Sequence, residues 1–404
     1  MRTPNHLGKP ADLTAYRSLF PHTGDQVYLN HAAVSPLSVR VTTAIQDHLT
    51  QRSTGDIDVY PGFSRFILSL KDKIGRFIGA TAADIALTSN TSDGLNILAN
   101  ALKWKRGDRI IMYERDFPSV TQTFSRFIRE GVVIDLIRDR SGRFDADDIR
   151  RLIRPETQLV CISQVQFLTG LRLQIEEIGA LCHEKGILFA VDGSQSAGAV
   201  TLDVKKMKID FLAVGAQKWM MGPMGTGFVF ASEELRTMLN QAYVGWLSVE
   251  NPWDLFNLNQ RLARDARRYE TGTLNAIGLV GLGAAIDLLS EIGIHKIESQ
   301  VVGLATYTSD RLLSLGYRTA LNYRDDLHSG IVSFIVQDPG TLSDQLKTEK
   351  ITISAREKYL RVSPHFYNTR DDIDRMLDAL KKADARLKYT KSQAALSQIG
   401  GNRG

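Results

Sequence analysis

Cysteine is nearly absent from this sequence, with two among 404 residues, and that scarcity excludes a disulfide scaffold. Cys161 lies in the strand-like run LVCIS, and Cys182 shares an apolar helical face with Ile175, Ile178 and Leu181, so both read as core residues. Long apolar runs are missing too. No stretch of about eighteen apolar residues occurs, and the opening MRTPNHLGKPADL has no apolar h-region. The expectation is no membrane span, no secretion and a cytoplasmic location. The eight histidines are scattered without ligand spacing, so no metal site is expected. A glycine-rich G-x-G-x-x-G turn between an opening strand and helix is also lacking, which disfavours a dinucleotide-binding oxidoreductase. The formal charge is +5, but its cations are interleaved with acids, as in RDARRYE and DALKKADARLK, and no basic stripe carries aromatics. Nucleic acid is therefore not an expected partner, whereas small anions are.

What is present is a large, ordinary globular composition, 43% hydrophobic and 24% charged. Short apolar runs alternate with amphipathic segments. The strand candidates are DIALTS, DRIIMYE, VVIDLIR, QLVCIS, GILFAVDG, DFLAVGA and TGFVFAS, several apolar on both faces as strands of a buried parallel sheet are. The segment QIEEIGALCHEKG has helical spacing, with Gly186 as its stop signal. This alternation predicts a mostly parallel α/β large domain over residues 20–275. Beyond YETGTLN the pattern changes to a long helical stretch, the strand-like SGIVSFIV, ITISA and YLRVS, and a last helix capped by Thr369 that buries Ile373, Met376, Leu377 and Leu380. That predicts a smaller α+β C-terminal domain over residues 276–391, with residues 1–19 as an N-terminal arm and 392–404 as a loose tail.

Open α/β sheets bind ligands outside the carboxyl ends of their strands, so those ends are where chemistry is sought. After IALTS come Asn90, Thr91, Ser92 and Asp93, a helix start with hydroxyls that suits an anion, or simply a helix cap. After RIIMYE come Phe117 and Pro118, the ring projecting into the crevice or into the core. After ILFAV comes Asp192, an acid leaving an apolar strand, or a turn residue. After FLAVGAQ comes Lys218, which alone would be a solvated side chain. Together the four supply a phosphate anchor, a ring to stack on, an acid and an amine. Pyridoxal phosphate requires that set: a Schiff-base lysine and a carboxylate that keeps the pyridine nitrogen protonated. The glycines of GPMGTG then let the backbone pass close to the cofactor.

The segments VDGSQSAGA, QKWMMGPMGTG, YETGTLN and LRVSPHFYNT, in that order, resemble the class V aminotransferase family of fold-type I pyridoxal-phosphate enzymes, which includes cysteine desulfurases and isopenicillin N epimerase. By that resemblance Lys218 forms the Schiff base, Asp192 pairs with the pyridine nitrogen and Gln195 with the ring hydroxyl. Thr91 and Ser92 hold the phosphate, joined by Gln217 where histidine is common, and Phe117 stacks on the ring. Thr273 reaches the phosphate of the neighbouring subunit, which implies a homodimer, and Arg361 clamps the substrate α-carboxylate. Asn30 and Gln166 are expected on the substrate side, while His31 reads as a structural histidine. Phe167 stands where the family often has asparagine. Desulfurases use a cysteine thiolate from the small domain, and TISAREKYLRVS has none, so persulfide formation is not expected. The resemblance implies a catalyst acting at the amino group or Cα of an amino acid. Aminotransferase is the leading reaction, a lyase or epimerase the alternative, and a non-catalytic binding protein the reading from another class.

Overall fold

The computed structural model describes residues 13–55, 57–58, 60–139, 143–323 and 327–400, with side chains through Leu387. After a short strand β1 (Val27–Tyr28) and two helices, Val39–Thr54 and Tyr60–Phe77, the chain builds its large sheet. The strands are β2 (Ile85–Thr88), β3 (Arg109–Tyr113), β4 (Val133–Ile137), β5 (Thr157–Ser163), β6 (Leu188–Asp192), β7 (Phe211–Gly215) and β8 (Gly227–Ala231). All seven runs read as strands form this 7-stranded sheet, in the order β2-β8-β7-β6-β5-β3-β4. Only β8 runs antiparallel to its neighbours.

The apolar character of both faces has a direct structural cause. Ile111, Val160, Val191 and Leu212 face one core cluster, and Ile110, Cys161, Ala190 and Ala213 face another. Side chains alternate along a strand, so helices must cover both sides. The helix Thr91–Ala101 packs on β7 and β8, Pro118–Ser125 on β3 and β5, and Ile175–Lys185 on β6. The last ends at Gly186, whose left-handed φ of 67° lets its N–H reach the carbonyls of Cys182 and His183.

The C-terminal part begins with the buried helix Ala276–Ile292, which lies against Val39–Thr54 and Tyr60–Phe77. The helix Ile294–Ser314 follows, then β9 (Arg318–Thr319), β10 (Val332–Ile335), the helix Pro339–Thr348, β11 (Ile351–Thr352), β12 (Ser354–Arg356) and β13 (Tyr359–Val362). A 4-stranded antiparallel sheet has the order β12-β13-β10-β9. Strand β11 pairs instead with β1, and Asn30 bridges to Ser363, so the N-terminal segment is laced to the C-terminal part. No sequence-local signal marks that pairing. Among the described residues, no single helix is long and apolar enough to cross a membrane.

The final helix, Arg370–Gly400, starts with reciprocal capping: the Thr369 N–H donates to Asp372 Oδ2 at 3.0 Å, and the Asp372 N–H to Thr369 Oγ1 at 3.3 Å. It continues through residues 392–400, where the sequence suggested a loose tail. A nucleated helix propagates at little cost through good helix formers such as SQAAL. The remainder of that tail, 401–404, lies outside the described residues, as do 1–12 of the expected N-terminal arm.

Candidate active site

Several segments that leave the carboxyl edge of the large sheet converge on Asp192. This acid ends β6, is 4% exposed, and accepts hydrogen bonds from Ser119 Oγ (2.7 Å) and the Ser194 N–H (2.8 Å). Ser194 Oγ meets Thr91 Oγ1 at 2.6 Å, so the aspartate is tied to the helix start that carries Thr91 and Ser92. Asn90 caps that start through the Asp93 N–H at 2.9 Å, and the first-turn N–H groups of Thr91 and Ser92 are the ones that a helix cannot satisfy internally.

A second carboxylate, Asp116, is buried behind the first. It accepts from the Ser163 N–H (2.9 Å), Ser163 Oγ (2.6 Å) and the Phe117 N–H (2.9 Å). Ser163 is the strand partner of Asp192. Burial raises Asp116 to about 6, and the neighbouring Asp192 adds to the rise while the hydrogen bonds from Ser163 and Phe117 oppose it. Asp116 thereby pins the turn that presents Phe117.

Lys218 leaves the turn after β7, with Nζ 5.1 Å from the centre of the Phe117 ring. Burial lowers the affinity of its amine for a proton, Asp192 works against that shift, and Arg361 and Arg356 reinforce it. The loop that holds it is locked from beneath. Gly198 has φ of 91°, and a Cβ there would sit 2.3 Å from the Trp219 carbonyl oxygen, so glycine is required for the close approach. Gln195 accepts from Trp219 Nε1 (2.8 Å) and donates to the Ala32 carbonyl (3.0 Å), which leaves one amide hydrogen for a ring hydroxyl. Gln217 and Thr91 converge above Gly215, where a Cβ would lie 2.8 Å from Gln217 Oε1 and 3.1 Å from Thr91 Oγ1.

On the other side stands Arg361 of β13, 2% exposed. Its Nη1 donates to the Phe167 carbonyl at 2.7 Å and Nη2 lies 3.5 Å from Ser354 Oγ, while Nε has no partner. Burial, aided by Arg356, pulls this guanidinium down to about 9. Phe167 packs edge-on against Phe117 with ring centres 5.2 Å apart, so the residue that replaces the family's asparagine builds the wall of the site. Asn30 hydrogen-bonds Ser354, which places it beside Arg361. Gln166 is 2% exposed and its Nε2 lacks a partner. His31 is committed to the Ser363 carbonyl and Tyr367 hydroxyl, both at 2.8 Å, and burial holds its ring well below the usual imidazole range. It is a structural histidine. Thr273 lies apart from this cluster, lining a groove of about 830 Å³ with Thr88, Ser89 and Asp93.

The arrangement fits pyridoxal phosphate. Lys218 offers the amine, Asp192 an acceptor for a protonated ring nitrogen, Phe117 a ring face, and Thr91, Ser92 and Gln217 the phosphate donors. The unmet buried donors on Gln166 and Arg361 mark where polar ligand atoms belong. Ser119, Ser194, Asp116 and Ser354 were not anticipated from the sequence. The serines within PSV and DGS look like ordinary turn residues, and only the fold brings them onto the carboxylates.

A sequence model of the family "Aminotransferase class-V" matches residues 27–376. A Pyrococcus abyssi protein named "Probable cysteine desulfurase" is 29% identical over 392 residues, covering 91% of this chain and 96% of the relative. The "Uncharacterized aminotransferase YcbU" of Bacillus subtilis is 26% identical over 365 residues, covering 90% of this chain and 96% of the relative. The apo cysteine desulfurase of Thermococcus onnurineus superposes with a TM-score of 0.83 at 26% identity, covering 95% of this chain and 99% of that one. With the matched residues spanning both sheets and enclosing the Lys218 site, the chain belongs to the class V aminotransferase family of fold-type I pyridoxal-phosphate enzymes.

Proposed function

We propose that the enzyme transfers the amino group of an α-amino acid, with the Lys218 amine as the base that takes the proton from Cα. The observation that carries this reading is the buried Arg361 guanidinium, which has no carboxylate partner among the described residues and keeps an unsatisfied Nε. Such a charge is costly to bury alone, and an α-carboxylate clamped there would compensate it. Bound pyridoxal phosphate supplies an electron sink for the charge left when Cα loses its proton. The chain's residues do the rest. Asp192 would hold the ring nitrogen protonated, and Phe117 and Phe167 would wall one side of the ring. Burial lowers the affinity of Lys218 for a proton, which favours its free amine as the base.

Elimination at Cβ is the second reading, favoured by the relatives named cysteine desulfurase. A sulfur relay through the chain's own thiol is not part of it, because both cysteines are buried free thiols, on β5 and on the helix Ile175–Lys185, and the segment 351–363 has none. Epimerisation would use the same residues. Incubating the holoenzyme with a panel of α-amino acids separates them. Transamination predicts stoichiometric conversion to pyridoxamine phosphate with release of the matching 2-oxo acid. Free pyruvate or an inverted Cα without that conversion would overturn it in favour of elimination or epimerisation. We also propose that the enzyme is a homodimer in which Thr273 serves the neighbouring site. Analytical ultracentrifugation giving a monomer would refute that.

A further inference from the structure

We infer that the substrate carries a second negatively charged group, on its side chain, and that Arg356 receives it. This deepens the proposed function and rests on its assignment of the α-carboxylate to Arg361. Strands β12 and β13 pair Ser354 with Arg361, Ala355 with Leu360, and Arg356 with Tyr359. Because side chains alternate, Ala355 and Leu360 occupy one face, and Leu360 is fully buried in the small-domain core. Ser354, Arg356, Tyr359 and Arg361 share the opposite face. The hydrogen bond from Arg361 to the Phe167 carbonyl shows where that face looks: toward the large-domain loop beside Lys218. Arg356 and Arg361 are thus diagonal neighbours on the surface that closes the site.

Neither arginine is neutralised. Among the described residues no carboxylate forms an ion pair with Arg356, and its Nη1 donates only to its own chain neighbour, the Ala355 carbonyl, at 2.9 Å. The adjacent Glu357 is taken by Arg115 at 2.6 Å. The guanidinium of Arg356 is close enough to weaken proton binding at both Arg361 and Lys218. Adjacent like charges repel, and an anion between them relieves the repulsion. The cofactor phosphate would not serve, because the residues that would hold it, Thr91, Ser92 and Gln217, belong to the segments that follow β2 and β7 of the large sheet. A single α-carboxylate saturates Arg361 and leaves Arg356 unmatched. An amino acid whose side chain ends in a carboxylate or a comparable acid satisfies both.

The test titrates the holoenzyme with aspartate, asparagine, glutamate and glutamine, following the visible band of the lysine-bound cofactor. In the wild type each acid should bind at least about tenfold more tightly than its amide, as one charge-assisted contact provides. R356Q should bring each pair within about twofold while leaving the amides' affinity and the melting temperature unchanged, and raised salt should shrink the wild-type ratio because Arg356 is exposed. Amides that bind as tightly as the acids, or an R356Q enzyme that keeps the preference, would overturn the inference and leave the proposed function standing. A formed cofactor band that no amino acid perturbs would overturn both.

Discussion

Replacing Arg361 by methionine should weaken substrate binding and stabilise the empty enzyme at once. The guanidinium is 2% exposed, and burial draws it from its ordinary value down to about 9. At about 1.4 kcal/mol per pH unit, holding that charge inside the fold costs on the order of 4–5 kcal/mol. Methionine fills similar volume with no charge. It gives up the bonds to the Phe167 carbonyl and Ser354 Oγ, about 1.5 kcal/mol each for a charged donor. The net gain is then about 1–2 kcal/mol, which for a chain of this size corresponds to a rise of about 1–2 °C in melting temperature. Amino-acid affinity should fall by about a hundredfold or more as the bidentate clamp is lost. Differential scanning calorimetry and ligand titration measure the two effects on one sample. A melting temperature lowered by several degrees with affinity intact would show that Arg361 is a structural strut and refute the reasoning.

Other consequences can be checked separately. Because Arg361 clamps a carboxylate only while protonated, and its value in the empty site is about 9, affinity should decline as pH rises through that value. Asp116 binds its proton more tightly folded than unfolded, so its stabilising contribution is present at low pH and lost as pH rises through about 6. Asp116→Asn should therefore compare more favourably with wild type at pH 7 than at pH 5 in thermal melts. Gly198→Ala drives a Cβ to 2.3 Å from the Trp219 carbonyl at a left-handed φ, and should cost several kcal/mol and displace Lys218, seen as a weakened cofactor band. Alkylating reagents should leave activity untouched under native conditions, since both cysteines are buried and burial pushes the Cys161 thiol well above its usual range and Cys182 up to about 12. Rapid inactivation by iodoacetamide would reopen a thiolate mechanism.

The large sheet was legible because its strands are apolar on both faces, a pattern that few other structures share. Residues Asp192 and Lys218 stood out for the same reason: a charge directly after an apolar strand is conspicuous. What could not be read depends on distant pairing. The β1–β11 contact joins residues 27–28 to 351–352 with no local signature. The Ser354, Arg356 and Arg361 strip appears only once the turn between β12 and β13 sets the register, since one residue of slip would put Arg361 on the face opposite Ser354 and Arg356. Gln195 looked free to bind a ring hydroxyl, yet most of its capacity is spent on Trp219 and Ala32, which the order of residues does not reveal.

The most direct test of the central claim is borohydride reduction of the purified enzyme followed by peptide mapping. The account predicts that a visible cofactor band disappears on reduction and that the phosphopyridoxyl label falls on Lys218, with Lys218→Ala giving neither band nor label while melting like the wild type. A label on another lysine, or an unchanged band in Lys218→Ala, would contradict it.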